Sequence, residues 1–373
     1  MRCDALVIGG GPAGAACAAR LARAGHRVVV LEKSRFPRRK VCGEFVAAAG
    51  IRSLEALGLG GRFDALAGPP LRRIALWTAR GELEAPLPQR HGAPRALERE
   101  ALDALLLDAA RASGAEVLQP MRARSLSRER DLWRCEAADR PGGATLRIEA
   151  RIAIAAHGSW QPPGELLGFQ AHLRGAELPR GAIVLAPFPG GYAGLVERAA
   201  GRATLACCVR RDALARMRAP GVAAGDALLE SLRERIAPLR RALRGAERDG
   251  AWLAAGPLQP GRRPLYRDGV FAAGNAAGEA HPIVGEGIAM ALGSAELLSR
   301  ELAPLLAAGF SREDELRAAR AYAAAWRRRF GLRLWSAGRL AALAMRPAAA
   351  DWAARLVAPA PALLALAARL SGK

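Results

Sequence analysis

The residues best able to do chemistry stand near the start of the chain. Gly9-Gly10-Gly11-Pro12-Ala13-Gly14 lies between two apolar runs, and Glu32 closes the second of them. In a strand–turn–helix setting the spaced glycines have separate tasks: Gly9 permits a tight turn, Gly11 lets backbone approach a pyrophosphate, and Gly14 lets the helix pack closely on the strand. Pro12 and Ala13 open that helix, whose unpaired N–H groups and positive dipole end suit phosphate. Glu32, with Lys33 beside it, is placed to accept hydrogen bonds from the hydroxyls of an adenosine ribose. These residues predict a dinucleotide site rather than a merely tight turn.

A second set lies far along the chain: Gly274-Asn275-Ala276-Ala277-Gly278, then His281-Pro282, then Gly285-Glu286-Gly287-Ile288 ahead of an Ala-rich helix. Small residues let a helix N-terminus approach a ligand, so Asn275, Gly285, Gly287 and Ile288 are expected at the same cofactor. His281 has two readings, a proton shuttle or a loop histidine that caps backbone. Cys42, Gly43 and Glu44 either line the pocket or shape a turn. Cys207 and Cys208 read as strand neighbours on opposite faces of a sheet, without chemistry.

The elements that must position these residues follow from periodicity. CDALVIG and RVVVLE (27–32) are short apolar runs that read as buried strands around a helix from Pro12 to Ala24, a βαβ unit stopped at Gly25. Leu97, Ala101, Leu102, Leu105, Leu106 and Ala109 recur at helical spacing, predicting a helix over 96–112, with strands at 115–118, 132–137 and 145–155. Residues 71–87 and 181–210 read as strands broken by Gly and Pro, a second and largely antiparallel sheet. A helix is expected at 223–244, a strand in 267–278 and a helix from about 285 to 302; beyond 311 the chain is helical and Arg-rich.

Composition narrows the functional classes. The net charge of +21 is almost all arginine, since Lys33, Lys40 and Lys373 are the only lysines. This reads in part as GC-rich coding bias. No arginine block is interleaved with stacking aromatics and no nucleic-acid module is present, so nucleic acid is not the expected partner. An anionic membrane surface or an acidic carrier suits the charge better. Six cysteines without a CxxC pair fit a reducing cytoplasm, and five histidines without ligand spacing predict no metal site. Residues 5–19 are broken by glycines and 356–368 contain Pro359 and Pro361, so neither is expected to cross a membrane.

Together the two glycine-rich sets resemble the p-hydroxybenzoate-hydroxylase-fold flavoproteins, a family that includes single-component monooxygenases, geranylgeranyl reductases and flavin-dependent halogenases. The resemblance covers most of residues 1–310. It is sharpest at Gly9–Gly14, at Phe36-Pro-Arg-Arg-Lys-Val-Cys-Gly-Glu44, similar to the reductase branch's Cys-Gly segment, and at Arg99-Glu-Ala-Leu-Asp103. It implies FAD as cofactor, contacted by Arg99, and an α/β (α+β) fold: a Rossmann-like FAD-binding domain (1–70, 95–165, 265–310), an inserted antiparallel-sheet substrate domain (71–94, 166–264) and a C-terminal helical segment (311–373).

Three departures matter. Gly274-Asn275 stands where the family usually has Gly-Asp, and Asn can still hydrogen-bond the ribityl chain or phosphate. Ala156-His157-Gly158 stands where the hydroxylase branch has Asp-Gly, which leaves NAD(P)H as direct reductant open, with a partner reductase as the alternative. Trp160-Gln-Pro-Pro does not match the halogenases' Trp-x-Trp-x-Ile-Pro. The function implied is hydroxylation of an apolar or aromatic substrate through a flavin C4a-hydroperoxide. The alternatives are reduction of an isoprenoid or other alkene and, from another class, electron transfer to or maturation of another protein. A small lipophilic or aromatic substrate is expected, or one presented on a carrier or protein.

The tail combines Trp326, Phe330, Leu334, Trp335, Leu340 and Leu343 with Arg327, Arg328, Arg329, Arg333 and Arg339. Two readings stand: an amphipathic helix lying on anionic lipid, or a helix packed on the flavin domain with its arginines in water.

Overall fold

The computed structural model describes residues 1–89, 92–159, 164–308 and 311–346. His91, Trp160 and the stretch 356–368 lie outside them. The amino-terminal unit is β1 (Arg2–Ile8), α1 (Pro12–Arg23) and β2 (Val28–Leu31), with β1 and β2 parallel and Ala5 opposite Val28. All four residues of β2 are buried, as a parallel strand covered on both faces requires. In space the sheet runs Tyr266–Arg267, Val270–Ala272, Leu146–Ala155, β1, β2, Glu116–Leu118.

On the edge away from β1, the strand Leu146–Ala155 serves two partners. Its first half pairs antiparallel with Leu132–Ala138 and its last residues pair parallel with Val270–Ala272, Ile154 opposite Phe271. A further strand, Arg122–Glu129, pairs with Leu132–Ala138. Its residues are exposed or only half-buried, so it carries no apolar period to betray it in the sequence.

Two expected helices are corrected. The helix predicted over 96–112 begins at Arg99, because Arg95–Ala96 pair antiparallel with Phe45–Val46. The helix predicted over 223–244 is two, Ala224–Arg235 and Ala237–Ala242, since Pro238 lacks an N–H and Ile236 before it is extended at ψ 94°. The helix predicted from about 285 runs from Gly287 to Ala307 and packs with α1, as does the helix Arg99–Ala112.

The second sheet runs Glu247–Arg248, Leu166–Arg174, Arg202–Arg210, Gly191–Glu197, Ala182–Phe188, Arg73–Thr78, Gly81–Pro86, with Ala182–Phe188 parallel to Arg73–Thr78. Strand alternation divides its faces. Phe169, Ala171, Leu173 and Cys207 join a core with Leu228, Leu232 and Leu239 of the two short helices, while Tyr192 and Cys208 join the core of the first sheet. Cys207 and Cys208 thus face opposite ways. The inner face of this sheet looks onto the carboxyl ends of the parallel strands.

Candidate active site

Four loops converge at those carboxyl ends: Gly9 follows β1, Glu32 follows β2, His157 follows Leu146–Ala155, and Gly274 follows Val270–Ala272. Ligands bind at such an edge in open α/β sheets. Gly9 has φ +112°, and a Cβ there would lie 2.4 Å from the carbonyl oxygen of Ala156. A Cβ on Gly14 would lie 1.9 Å from the oxygen of Gly9, so only glycine lets α1 start this close to the turn. Gly11 differs: a Cβ there would meet nothing nearer than the Arg38 guanidinium at 4.0 Å. The helix has Gly11 as its N-cap with no side-chain cap and Pro12 at its start, so its leading N–H groups are free for an anion.

Glu32 is buried, accepting hydrogen bonds from Gly10 N (2.8 Å) and Ser34 N (2.9 Å), which aims its carboxylate over the turn with acceptor capacity to spare. Arg38 stands between Glu32 (3.9 Å) and Asp103 (3.5 Å). Arg99 forks onto Asp103 through two bonds of 2.8 and 2.7 Å. Burial works against the charge of this guanidinium, but Asp103 more than offsets it and raises the Arg99 pKa. Lys33 is exposed at the rim.

The second glycine-rich set meets the first. Gly274, at φ +64°, packs so closely on α1 that a Cβ would lie 2.7 Å from the Ala13 methyl, and its N–H donates to Ser294 Oγ. Asn275 Nδ2 donates to Ser159 Oγ at 3.0 Å. Gly285, at φ +66°, abuts the Phe45 ring. A Cβ on Gly287, the first residue of its helix, would meet nothing within 4 Å, and Ile288 behind it is buried. Two uncapped helix N-termini, an open backbone at Gly11 and Gly287, and a buried acid at the end of β2 fit the phosphates and ribose of FAD. Those residues, with Asn275, would hold it.

The loop 36–44 carries the site across to the second sheet. Cys42 N donates to Gln170 Oε1 at 3.1 Å, Glu44 N donates to Cys42 Sγ at 3.3 Å, and a Cβ on Gly43 would be 4.0 Å from the Ala206 methyl. Burial pushes the Cys42 thiol up. Glu44 is buried, with Gln170, His172 and Thr204 all bonded to its carboxylate. Burial alone would raise its pKa, but His172, Thr204 and Arg198 hold it below the ordinary value.

His281 is buried 3.1 Å from the Tyr192 hydroxyl. Its Nδ1 also accepts from Ile283 N, and a backbone N–H can only donate, so a neutral ring carries its proton on Nε2. That Nε2 has no hydrogen-bond partner among the described residues. Burial lowers the His281 pKa to about 4, so the ring is neutral near pH 7. Gln170, His172, Tyr192 and Thr204 were not singled out from sequence. The signal was present in Leu166–Arg174, where Gln170 and His172 alternate with Phe169, Ala171 and Leu173.

Residues 2–185 match the family described as FAD binding domain. Menaquinone reductase of Mycolicibacterium smegmatis is 34% identical over 117 residues, covering 31% of this chain and 29% of that protein. The chain therefore aligns with under a third of that relative's length. Digeranylgeranylglycerophospholipid reductase 2 of Methanopyrus kandleri is 28% identical over 362 residues, covering 89% of this chain and 84% of that protein. Among solved structures, PqsL, a probable FAD-dependent monooxygenase from Pseudomonas aeruginosa, superposes with a TM-score of 0.74 at 21% identity over 92% of this chain and 97% of that one. The βαβ turn, the second glycine-rich loop beside it and these likenesses agree: residues 2–185 carry an FAD binding domain, and the chain shares the fold of the FAD-dependent enzymes that it resembles.

Proposed function

We propose that this protein is a flavin-dependent monooxygenase that hydroxylates an apolar or aromatic substrate lying between the cofactor loops and the inner face of the second sheet. The observation that carries the reading is His281: a neutral, buried imidazole with Nδ1 occupied by Tyr192 and Ile283 and Nε2–H unpartnered among the described residues. A buried donor left unbonded costs free energy, which a bound acceptor recovers. An oxygen on the ring of the substrate is such an acceptor, and a donor there stabilises negative charge as the ring reacts. Bound FAD would supply the redox chemistry, with dioxygen or a carbon–carbon double bond as the electron acceptor. The chain binds and orients both partners, and the second sheet excludes water from the space between them.

A second reading, reduction of an isoprenoid or other alkene, draws support from the two reductases with which the chain shares sequence. Oxygen uptake separates the two. With the flavin reduced, a hydroxylase consumes dioxygen in step with product and is inert without it, whereas an alkene reductase forms product anaerobically. Product formed without dioxygen would replace the first reading by the second.

A further inference from the structure

The long C-terminal helix, Arg312–Ala344, has one face committed to the flavin domain and another that packs on nothing among the described residues. Tyr322, Trp326, Phe330, Ala337 and Ala341 are buried, the Tyr322 hydroxyl donates to the carbonyl of Ala272, and Arg329 and Arg333 turn inward to Glu296 (3.0 Å) and Glu286 (3.3 Å). Opposite them, Leu332 is 70% exposed, Trp335 59% and Leu343 45%. Arg328 and Arg339 are exposed among them, and the Arg339 guanidinium sits 4.6 Å over the Trp335 ring. At 100° per residue these five side chains fall within about 80° of one another, a stripe roughly 22 Å long. No Asp or Glu occurs between Glu315 and Asp351.

We infer that this stripe docks the enzyme on an anionic lipid surface. Leucine and tryptophan alternating with arginine on one straight helix is the composition of an interfacial helix, whose apolar side chains enter the headgroup boundary while the guanidinium groups stay with phosphate. Trp335 stacked under Arg339 belongs at that boundary. A second copy of the chain is a poor occupant, because two such faces would oppose like charges across apolar contact. The described helices include none long and apolar enough to cross a membrane, so attachment is peripheral. On this assignment the two readings of the tail fall on opposite faces of one helix, and the inward arginines, Arg329 and Arg333, drop out of the lipid contact.

The test is co-sedimentation of the full-length, FAD-loaded protein with phosphatidylcholine vesicles, with and without phosphatidylglycerol, over a salt series. The parent should bind only the anionic vesicles and release as salt rises. An arginine at such a surface contributes roughly fivefold in affinity, so Arg328→Gln with Arg339→Gln should weaken binding about 25-fold at low salt. Leu332→Gln with Trp335→Gln should remove what remains, and Arg329→Gln should leave affinity within about twofold of the parent. Failure of the parent to bind, equal binding to neutral vesicles, or outer-face variants that bind like the parent each overturn the assignment. So does loss of bound flavin in those variants, which would mean that the stripe packs inward. No turnover is needed, so failure here leaves the proposed reaction standing.

Discussion

The carboxylate of Glu44, on the loop leaving the cofactor site, lies 3.1 Å from Nε2 of His172 on the second sheet. Glu44 adopts φ 56°, a conformation that costs a non-glycine residue about 1 kcal/mol or more and persists only where surroundings over-determine it. Here they do: Gln170 Nε2 (2.9 Å), Thr204 Oγ1 (2.5 Å) and the backbone N–H of Arg99 (3.3 Å) share the same carboxylate. One side chain thereby pins the loop bearing Cys42 to the second sheet and to the start of the helix Arg99–Ala112.

Removing that carboxylate strands several buried donors. Glu44→Ala is expected to lower unfolding stability by about 3 kcal/mol, measured by urea denaturation. In a double-mutant cycle, His172→Ala should couple to it by at least about 1 kcal/mol. Additive effects of the two substitutions would refute the pin.

Gly11 and Gly14 should fail in different ways. Gly14→Val drives a side chain into the oxygen of Gly9 and should prevent α1 from seating, with gross loss of folded protein. Gly11→Val has room and an ordinary φ of −70°, so the chain should fold near parental stability yet release little or no FAD on denaturation. Circular dichroism and flavin absorbance together read this. Full flavin occupancy in Gly11→Val would remove the pyrophosphate from this turn.

His281 predicts an acid-labile fold. Its pKa is about 4 when folded against 6.5 for the free side chain, so between those values the unfolded chain binds the extra proton and stability falls as pH falls. From pH 7 to 4.5 the parent should lose about 2 kcal/mol more than His281→Gln, which has no proton to take up. Parallel stability–pH curves for the two would mean that the ring is not held neutral by burial.

Flavin reduction by NADPH alone is expected to be slow, because His157 follows the strand Leu146–Ala155 where the hydroxylase branch carries an acid. Anaerobic stopped-flow bleaching of the bound flavin is the measurement, and His157→Asp should accelerate it. Rapid bleaching of the parent, stimulated by substrate, would contradict this.

What the sequence determined by itself is the cofactor and the fold that holds it. The glycine spacing, the two apolar runs and Glu32 are all local, and in a parallel βαβ unit local pattern suffices, because both faces of β2 must be apolar and the turn admits only glycine at positions 9 and 14. Tertiary structure decided the rest. Gln170, His172 and Thr204 read as polar alternation on two strands, and alternation says that they share a face without saying what covers it. Glu44 covers it, from more than a hundred residues earlier in the chain. Tyr192 meets His281 for the same reason, a strand of the second sheet brought against a loop that follows the first. In the last helix the arginines are chemically alike in sequence; only the position of Glu286 and Glu296 on the packed neighbour turns Arg333 and Arg329 inward and leaves Arg328 and Arg339 facing out.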